Sequence, residues 1–290
     1  MTTSHPADGI GKPAFTLIEL LIVVAVIGVL AGLLVPTVLT TMQKAKQVQC
    51  QSNLRQIALS VKTYATDYRG SIPPTYIQDS GLYWCNLLAK RDLPSPNTAE
   101  MADDERTGQE TVFICPSSTN QYVELGDDIP APDHDNAQGW YRLGNNEYKT
   151  DCSYYWNGYV GEDEDLRERF PSLSVNYTNP QDITIHDISE IAQQSATAMV
   201  MDGVFFQEGG ADQPERIAAR HRGTAGERRK TNIAFYDAHV EALDRDPRTE
   251  GGDIDWDQES NVGDNLDLIP IMVREPELSD GPPWFMLPKR

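Results

Sequence analysis

Three groups of side chains in this 290-residue sequence have types and spacings that could do chemistry. His221, Asp237 and His239 offer two imidazoles and a carboxylate, a set that suits zinc. Asp237 and His239 stand two residues apart, so on a strand they share a face, while His221 must reach them from a loop. Nothing in the spacing fixes that meeting. The structural alternative has Asp237 capping a turn and His239 bonded to backbone. The run Asp253, Asp255, Asp257, Glu259, Asn261 and Asp264 places oxygens at loop positions 1, 3, 5, 7, 9 and 12, the cluster a calcium ion wants. Gln258 stands where such a loop needs Gly for its sharp turn, and Asp264 is shorter than the usual bidentate Glu. A solvated acidic loop is therefore the competing reading. Finally, Cys50, Cys85, Cys115 and Cys152 allow three pairings if the chain folds outside the cytoplasm. Cys115 with Cys152 is the preferred disulfide because both adjoin expected strands, with buried free thiols as the alternative.

No Gly-x-Ser-x-Gly, P-loop or His-Glu-x-x-His occurs, so nucleophilic, nucleotide and zinc-protease chemistry have no foothold. The chain carries 24 Lys and Arg against 44 Asp and Glu, a net charge of −20. Neutralising a phosphate backbone needs clustered cations, so nucleic acid is not an expected partner. Twelve Tyr and five Trp supply enough large apolar surface for a packed core.

The contiguous hydrophobicity lies near the N-terminus. Leu20–Val35 is sixteen residues without a polar side chain, and adding 15–19 makes a helix of about 31 Å, the thickness of a bilayer's hydrocarbon core. Val29 and Ala31 would suit a secretory cut before Gly32, but that reading leaves a carboxylate, Glu19, inside the apolar run with no use for it. An ionised group there costs on the order of 2.5–3.5 kcal/mol and needs a partner. No Lys or Arg lies within one turn. A cut between Ala14 and Phe15 would create an α-amine four residues before Glu19, which a neighbouring chain could present to this carboxylate.

The stretch Phe15-Thr16-Leu17-Ile18-Glu19-Leu20 resembles the cleavage and methylation motif of type IV prepilins and type II secretion pseudopilins. Counted from Phe15, Glu19 is the fifth residue, where that family carries its assembly glutamate, and Pro36 is the twenty-second, where pilins place a helix-kinking proline. Ala14 departs from the Gly that usually precedes the cut. The resemblance implies a leader at 1–14 removed by prepilin peptidase, N-methylation of Phe15, a transmembrane and assembly helix over 15–36, and single-pass insertion in a bacterial inner membrane. It also implies a head in the periplasm or on a filament, and like or related subunits as partners. Counting Lys and Arg alone favours the reverse orientation, since Lys44, Lys46 and Arg55 follow the span; the motif is given precedence. Pseudopilins of the major secretion type bind calcium in a C-terminal loop, which adds to the case for 253–264. No other cofactor is expected.

Beyond Pro36, Leu54, Ile57, Ala58, Val61, Tyr64, Ala65 and Tyr68 recur at spacings of three and four, predicting an amphipathic helix over 37–69 that stops at Gly70 and Pro73-Pro74. A single helix from about 15 to 67 would be roughly 80 Å long, bent at Pro36; two separate helices are the alternative. Strands are expected at 111–115, 153–159, 196–201, 232–236 and 239–243 in an acidic head spanning 70–290. The fold class is α+β, a helix packed on an antiparallel sheet, which is also the pilin architecture. The segments Cys50–Gln56, 64–73, Phe113–Ser117 and Ser153–Gly158, in that order, resemble pseudopilin-like proteins abundant in planctomycetes, which end in a His-x9-Asp-Gly module. Here fifteen residues separate His221 from Asp237, and Ala238 replaces the Gly. The function expected is a structural, non-enzymatic subunit of a pilus-like filament or pseudopilus. The rivals are a tethered monomeric binding or adhesion module and a tethered metal-dependent hydrolase built on His221, Asp237 and His239.

Overall fold

The computed structural model describes residues 16–102, 111–120, 122, 139–156, 172–177, 185–191, 194–195, 197–203, 220–222 and 229–243. The leader, the Ala14–Phe15 junction, the acidic run 253–264 and the connections 124–138 and 204–215 lie outside the described residues. By its contacts the chain divides into two compact units, Met1–Met42 and Gln43–Arg290.

Helix α1 runs from Leu17 to Asp67 without interruption at Pro36, so the single-helix expectation holds and the two-helix alternative does not. Within the first unit every described residue from 16 to 42 is exposed, including Leu17, Ile18, Leu20, Leu21, Leu33 and Leu34. Among the described residues this is one helix long and apolar enough to cross a membrane, with a mean hydropathy of 2.9 over its most apolar window.

In the second unit the same helix becomes one-sided. Cys50, Leu54, Ile57, Ala58, Val61 and Ala65 are buried, the recurrence of three and four that puts side chains on one face. Tyr68 departs from that stripe: it is 52% exposed, stacked on Tyr64 with ring centroids 4.2 Å apart. The helix ends where Arg69 and Gly70 both take positive φ, at 57° and 94°. A Cβ on Gly70 would fall 1.9 Å from the Asp187 carboxylate, so only Gly fits.

Strands β5 (Tyr154–Trp156), β7 (Ala198–Asp202), β9 (Arg229–Phe235) and β10 (Val240–Leu243) form an antiparallel sheet in the order β10-β9-β7-β5, with β8 (His221–Arg222) also paired to β9. These lie within one or two residues of expected strand ends, except that β5 is described only to Trp156 and β9 starts three residues early. Two smaller sheets complete the described head. One joins β1 (Tyr76–Ile77) to β2 (Leu82–Tyr83) and, in parallel, to β6 (Ser174–Val175); the other is the hairpin of β3 (Tyr141–Gly144) and β4 (Lys149–Cys152). A short helix, α2 (Trp84–Arg91), seats its indole against Trp156, 4.9 Å between ring centroids.

The expected strand at 111–115 is a turn instead. Its backbone groups are taken up one by one rather than by a ladder. Asn53 of α1 donates to the Ile114 carbonyl (3.1 Å), the Cys115 N–H donates to Ser153 Oγ (2.6 Å), and the Ser153 N–H donates to the Phe113 carbonyl (2.9 Å). Burial of Phe113, Ile114 and Cys115 gives the segment the composition of a strand without the pairing.

The β9–β10 connection explains the Gly of the His-x9-Asp-Gly resemblance. The Ala238 N–H closes a turn on the Phe235 carbonyl (2.8 Å), and Ala238 itself sits at φ 72°. That is the left-handed position of a three-residue hairpin loop, where Gly is at home. An L-residue there costs roughly 1–2 kcal/mol, so Ala238→Gly should stabilise the head by up to about 1 kcal/mol after Gly's greater chain entropy is subtracted. Ile57→Ala, in the buried stripe, should cost about 2–5 kcal/mol, whereas Leu59→Ala, half exposed on the same helix, should stay within about 0.5 kcal/mol. Urea denaturation of the detergent-solubilised chain, followed by tryptophan fluorescence, measures all three.

Candidate functional site

Two places carry the chemistry. The first is the start of α1. Thr16 Oγ1 accepts from the Glu19 N–H (3.3 Å), and the Glu19 carboxylate accepts from the Thr16 N–H (2.8 Å) and hydroxyl (2.7 Å). This is a reciprocal capping box, whose sequence signal is Thr-x-x-Glu ahead of an apolar run. Within one chain Glu19 therefore holds the helix N-terminus, and its carboxylate remains exposed.

The second place is a buried cluster that joins four segments of the head. Cys50 comes from α1, Cys115 from the turn after Thr111, Asp202 from the end of β7 and His221 from β8. Their side-chain ligand atoms all lie within 4.8 Å of one another, and all four residues are buried. Cys50 Sγ donates to Asp202 Oδ1 (3.0 Å), and His221 Nε2 stands 3.2 Å from Asp202 Oδ2 and 3.5 Å from Cys115 Sγ. The periphery is also bonded. His221 Nδ1 meets Ser117 Oγ at 3.2 Å, the Asn232 N–H donates to Asp202 Oδ2 (2.8 Å), and the Tyr154 hydroxyl donates to Cys50 Sγ (3.4 Å). Arg220 donates to the Ser153 carbonyl and to that of Gly139 (2.8 Å), which fixes its guanidinium close to the cluster.

Burial alone would raise the Asp202 carboxyl, but the charge and hydrogen bond of His221, helped by Arg220, bring it below its ordinary value. For His221 burial works downward, and the adjacent Asp202 carboxylate more than reverses it, holding the imidazole up at about 10. Burial pushes the Cys50 thiol well up. Burial and the repulsion of Asp202 push Cys115 up, but the adjoining Cys50 thiol, the bond from His221 and the charge of Arg220 bring it down to about 6.

Cysteine, histidine and aspartate together suggest nucleophilic catalysis, but the geometry does not support it. A relay needs the base to face the nucleophile with one ring nitrogen and the orienting carboxylate with the other. Here Nε2 faces both Cys115 and Asp202, while Nδ1 is held by Ser117. Cys115 is also wholly buried, out of reach of a substrate.

The residues singled out from sequence fare unevenly. His221 is in the cluster, but Asp237 and His239 are not its partners. They sit on the exposed β9–β10 turn, where Asp237 Oδ1 accepts the His239 N–H (3.0 Å), as the turn-capping alternative has it, while the His239 imidazole meets the same carboxylate through Nδ1 (2.5 Å) rather than bonding to backbone. The expected bridge between Cys115 and Cys152 is not made. All four cysteines are free and buried; Cys115 instead adjoins Cys50, and Cys152 adjoins Cys85. Loss of the strand at 111–115 removes the reason for the original pairing, since the turn aims Cys115 at α1. Cys50 and Asp202 were not anticipated as site residues. The available signals were a cysteine four residues ahead of Leu54 on the helix stripe and a carboxylate closing the apolar strand Ala198–Met201.

Comparison with known proteins bears on the first place. The family model described as the prokaryotic N-terminal methylation motif matches residues 12–35. The type IV major fimbrial protein FimA of Dichelobacter nodosus is 28% identical over 135 residues, spanning 45% of this chain and 83% of that protein. No solved structure matches the chain. A methylation motif on one apolar N-terminal helix, followed by helix-on-sheet packing, defines a pilin-like protein. In its N-terminal segment the chain is similar to type IV pilins, and this likeness points to a structural, non-enzymatic role.

Removing the cationic partner of a buried carboxylate leaves an uncompensated charge, so His221→Ala should destabilise the head by roughly 3–5 kcal/mol. Asp237→Ala removes exposed contacts to the His239 N–H and imidazole and should cost about 1 kcal/mol or less. Equal shifts in the two denaturation midpoints would contradict the buried-cluster assignment.

Proposed function

We propose that the protein is a structural subunit of a type IV pilus-like filament or a type II secretion pseudopilus, cut by prepilin peptidase between Ala14 and Phe15 and methylated on Phe15. The observation that carries this reading is the first unit. From Leu17 to Met42 the helix exposes apolar side chains on every face, and Glu19 is its sole charged group up to that point. Such a surface must be covered by lipid or by other helices of the same kind. Lipid covers it before assembly and neighbouring subunits afterwards, with the head held on the far side of the inner membrane.

Glu19 is the registering element. After the cut, the new α-amine of Phe15 on one subunit meets the Glu19 carboxylate of the next, and each neutralises the other in a medium where neither charge is tolerated alone. The Thr16 capping box keeps the carboxylate ordered until then. Pro36 has no N–H to bond the preceding turn, which loosens the helix where subunits must adjust to one another. The head, acidic over its surface, presents the face that meets the surroundings, and the acidic run 253–264 would recruit calcium there.

Mass spectrometry of the protein from native membranes should find a chain starting at N-methylated Phe15. A chain starting at Gly32, or an uncut chain, would overturn the proposal. Glu19→Ala should abolish co-purification with filaments while leaving membrane insertion and head stability unchanged. A tethered monomeric module would be indifferent to that substitution.

A further inference from the structure

We propose that Cys50, Cys115, Asp202 and His221 form a closed, four-ligand site for a zinc-class transition-metal ion, which pins helix α1 to the sheet of the head. The donor types select the metal class. Two sulfurs, one imidazole nitrogen and one carboxylate oxygen are the soft-to-borderline set that zinc takes, whereas calcium and magnesium take oxygen alone. The cluster is close to the size of a metal site. Bonds of about 2.0–2.3 Å in a tetrahedron put neighbouring ligand atoms about 3.3–3.8 Å apart. Here Cys50 Sγ is 3.0 Å from Asp202 Oδ1, and His221 Nε2 is 3.2 Å from Asp202 Oδ2 and 3.5 Å from Cys115 Sγ. One ligand atom from each of the four residues lies within 4.8 Å of the others, so shifts of a few tenths of an ångström would seat the ion.

The outer shell is organised as a metal site requires. A ligating histidine turns one nitrogen to the metal and engages the other with a neighbour, and His221 holds Ser117 with Nδ1 while Nε2 faces Cys115 and Asp202. Asp202 receives the Asn232 N–H on one oxygen, and Cys50 receives the Tyr154 hydroxyl. Two thiolates, a carboxylate and a neutral imidazole around a divalent ion leave one net negative charge, and the buried Arg220 guanidinium nearby offsets it. Four protein ligands with 0–2% exposure leave no position for water or substrate, which marks the site as structural rather than catalytic. The ligands are 65, 87 and 19 residues apart along the chain, so the ion closes long loops. Cys85 and Cys152, a neighbouring pair of buried thiols, are not in this ligand set and provide an internal control.

The test uses the full-length chain, purified in detergent under reducing conditions, loaded with Zn²⁺ and dialysed against metal-free buffer. It should retain about one zinc per chain. Co²⁺ in place of zinc should show intense thiolate-to-cobalt charge-transfer bands and the visible bands of a tetrahedral ion. Cys85→Ser should keep both the zinc and the spectrum, and Cys115→Ser should lose both. Should Cys115→Ser fail to fold, the wild-type stoichiometry and spectrum still decide the matter, and stripping the zinc with a chelator should lower the melting temperature of the wild type and of Cys85→Ser alike. A folded, reduced wild-type chain that retains no zinc and gives no thiolate–cobalt bands overturns the proposal. So does recovery of Cys50 and Cys115 from native membranes as a disulfide.

Discussion

A carboxylate with no exposure to water is the constraint around which the head is arranged. Asp202 ends the central strand β7 in a position where an isolated charge would be prohibitively desolvated, and every segment around it supplies something to hold that charge. The long helix contributes the Cys50 thiol, β9 the Asn232 N–H and β8 the imidazole of His221. Apolar contacts alone specify these neighbours loosely, because many arrangements bury the same area. Directional bonds to one buried anion admit far fewer, so the polar cluster sets the register between helix and sheet while Leu54, Ile57, Val61, Met199, Ile233 and Phe235 supply the bulk of the burial.

The same chain solves a different solvation problem at its other end. Residues 17–42 are apolar all round and exposed, and one carboxylate, Glu19, is placed among them. In water that surface has no stable state, and in lipid the carboxylate has none without a partner. In the proposed filament, helix packing between like subunits answers both demands at once. In the proposed assembly the protein works through the surface it buries and the head it presents.

The long helix, its end at Asp67 and four of the five expected strands were readable in advance because they depend on local periodicity and on turn residues. The stop at Arg69-Gly70 combines a left-handed backbone turn, which residue type signals, with the close approach of Asp187, which it does not. The segment at 111–115 was misread because burial and β-rich composition look the same whether the backbone bonds to a ladder or to side chains such as Asn53 and Ser153. Helix α2 escaped notice for a related reason: eight residues are too few for a periodic signal, and it is fixed by contacts such as Asn86 reaching the Leu143 carbonyl and Thr150.

The membrane-length apolar run, the methylation motif with Glu19 set inside it and the amphipathic stripe that follows are each written within a few turns of chain, so they can be read from residue order. Which of the acidic, histidine and cysteine residues belong together was decided only by the tertiary structure. His221 pairs with Asp202 and Cys115 rather than with the nearer Asp237 and His239, because the β9–β10 turn carries the latter pair to the surface while β8 delivers His221 beneath it. Ligands drawn from positions 50, 115, 202 and 221 leave no local signature. Their meeting is set by strand order and helix packing, which depend on the burial of the whole head.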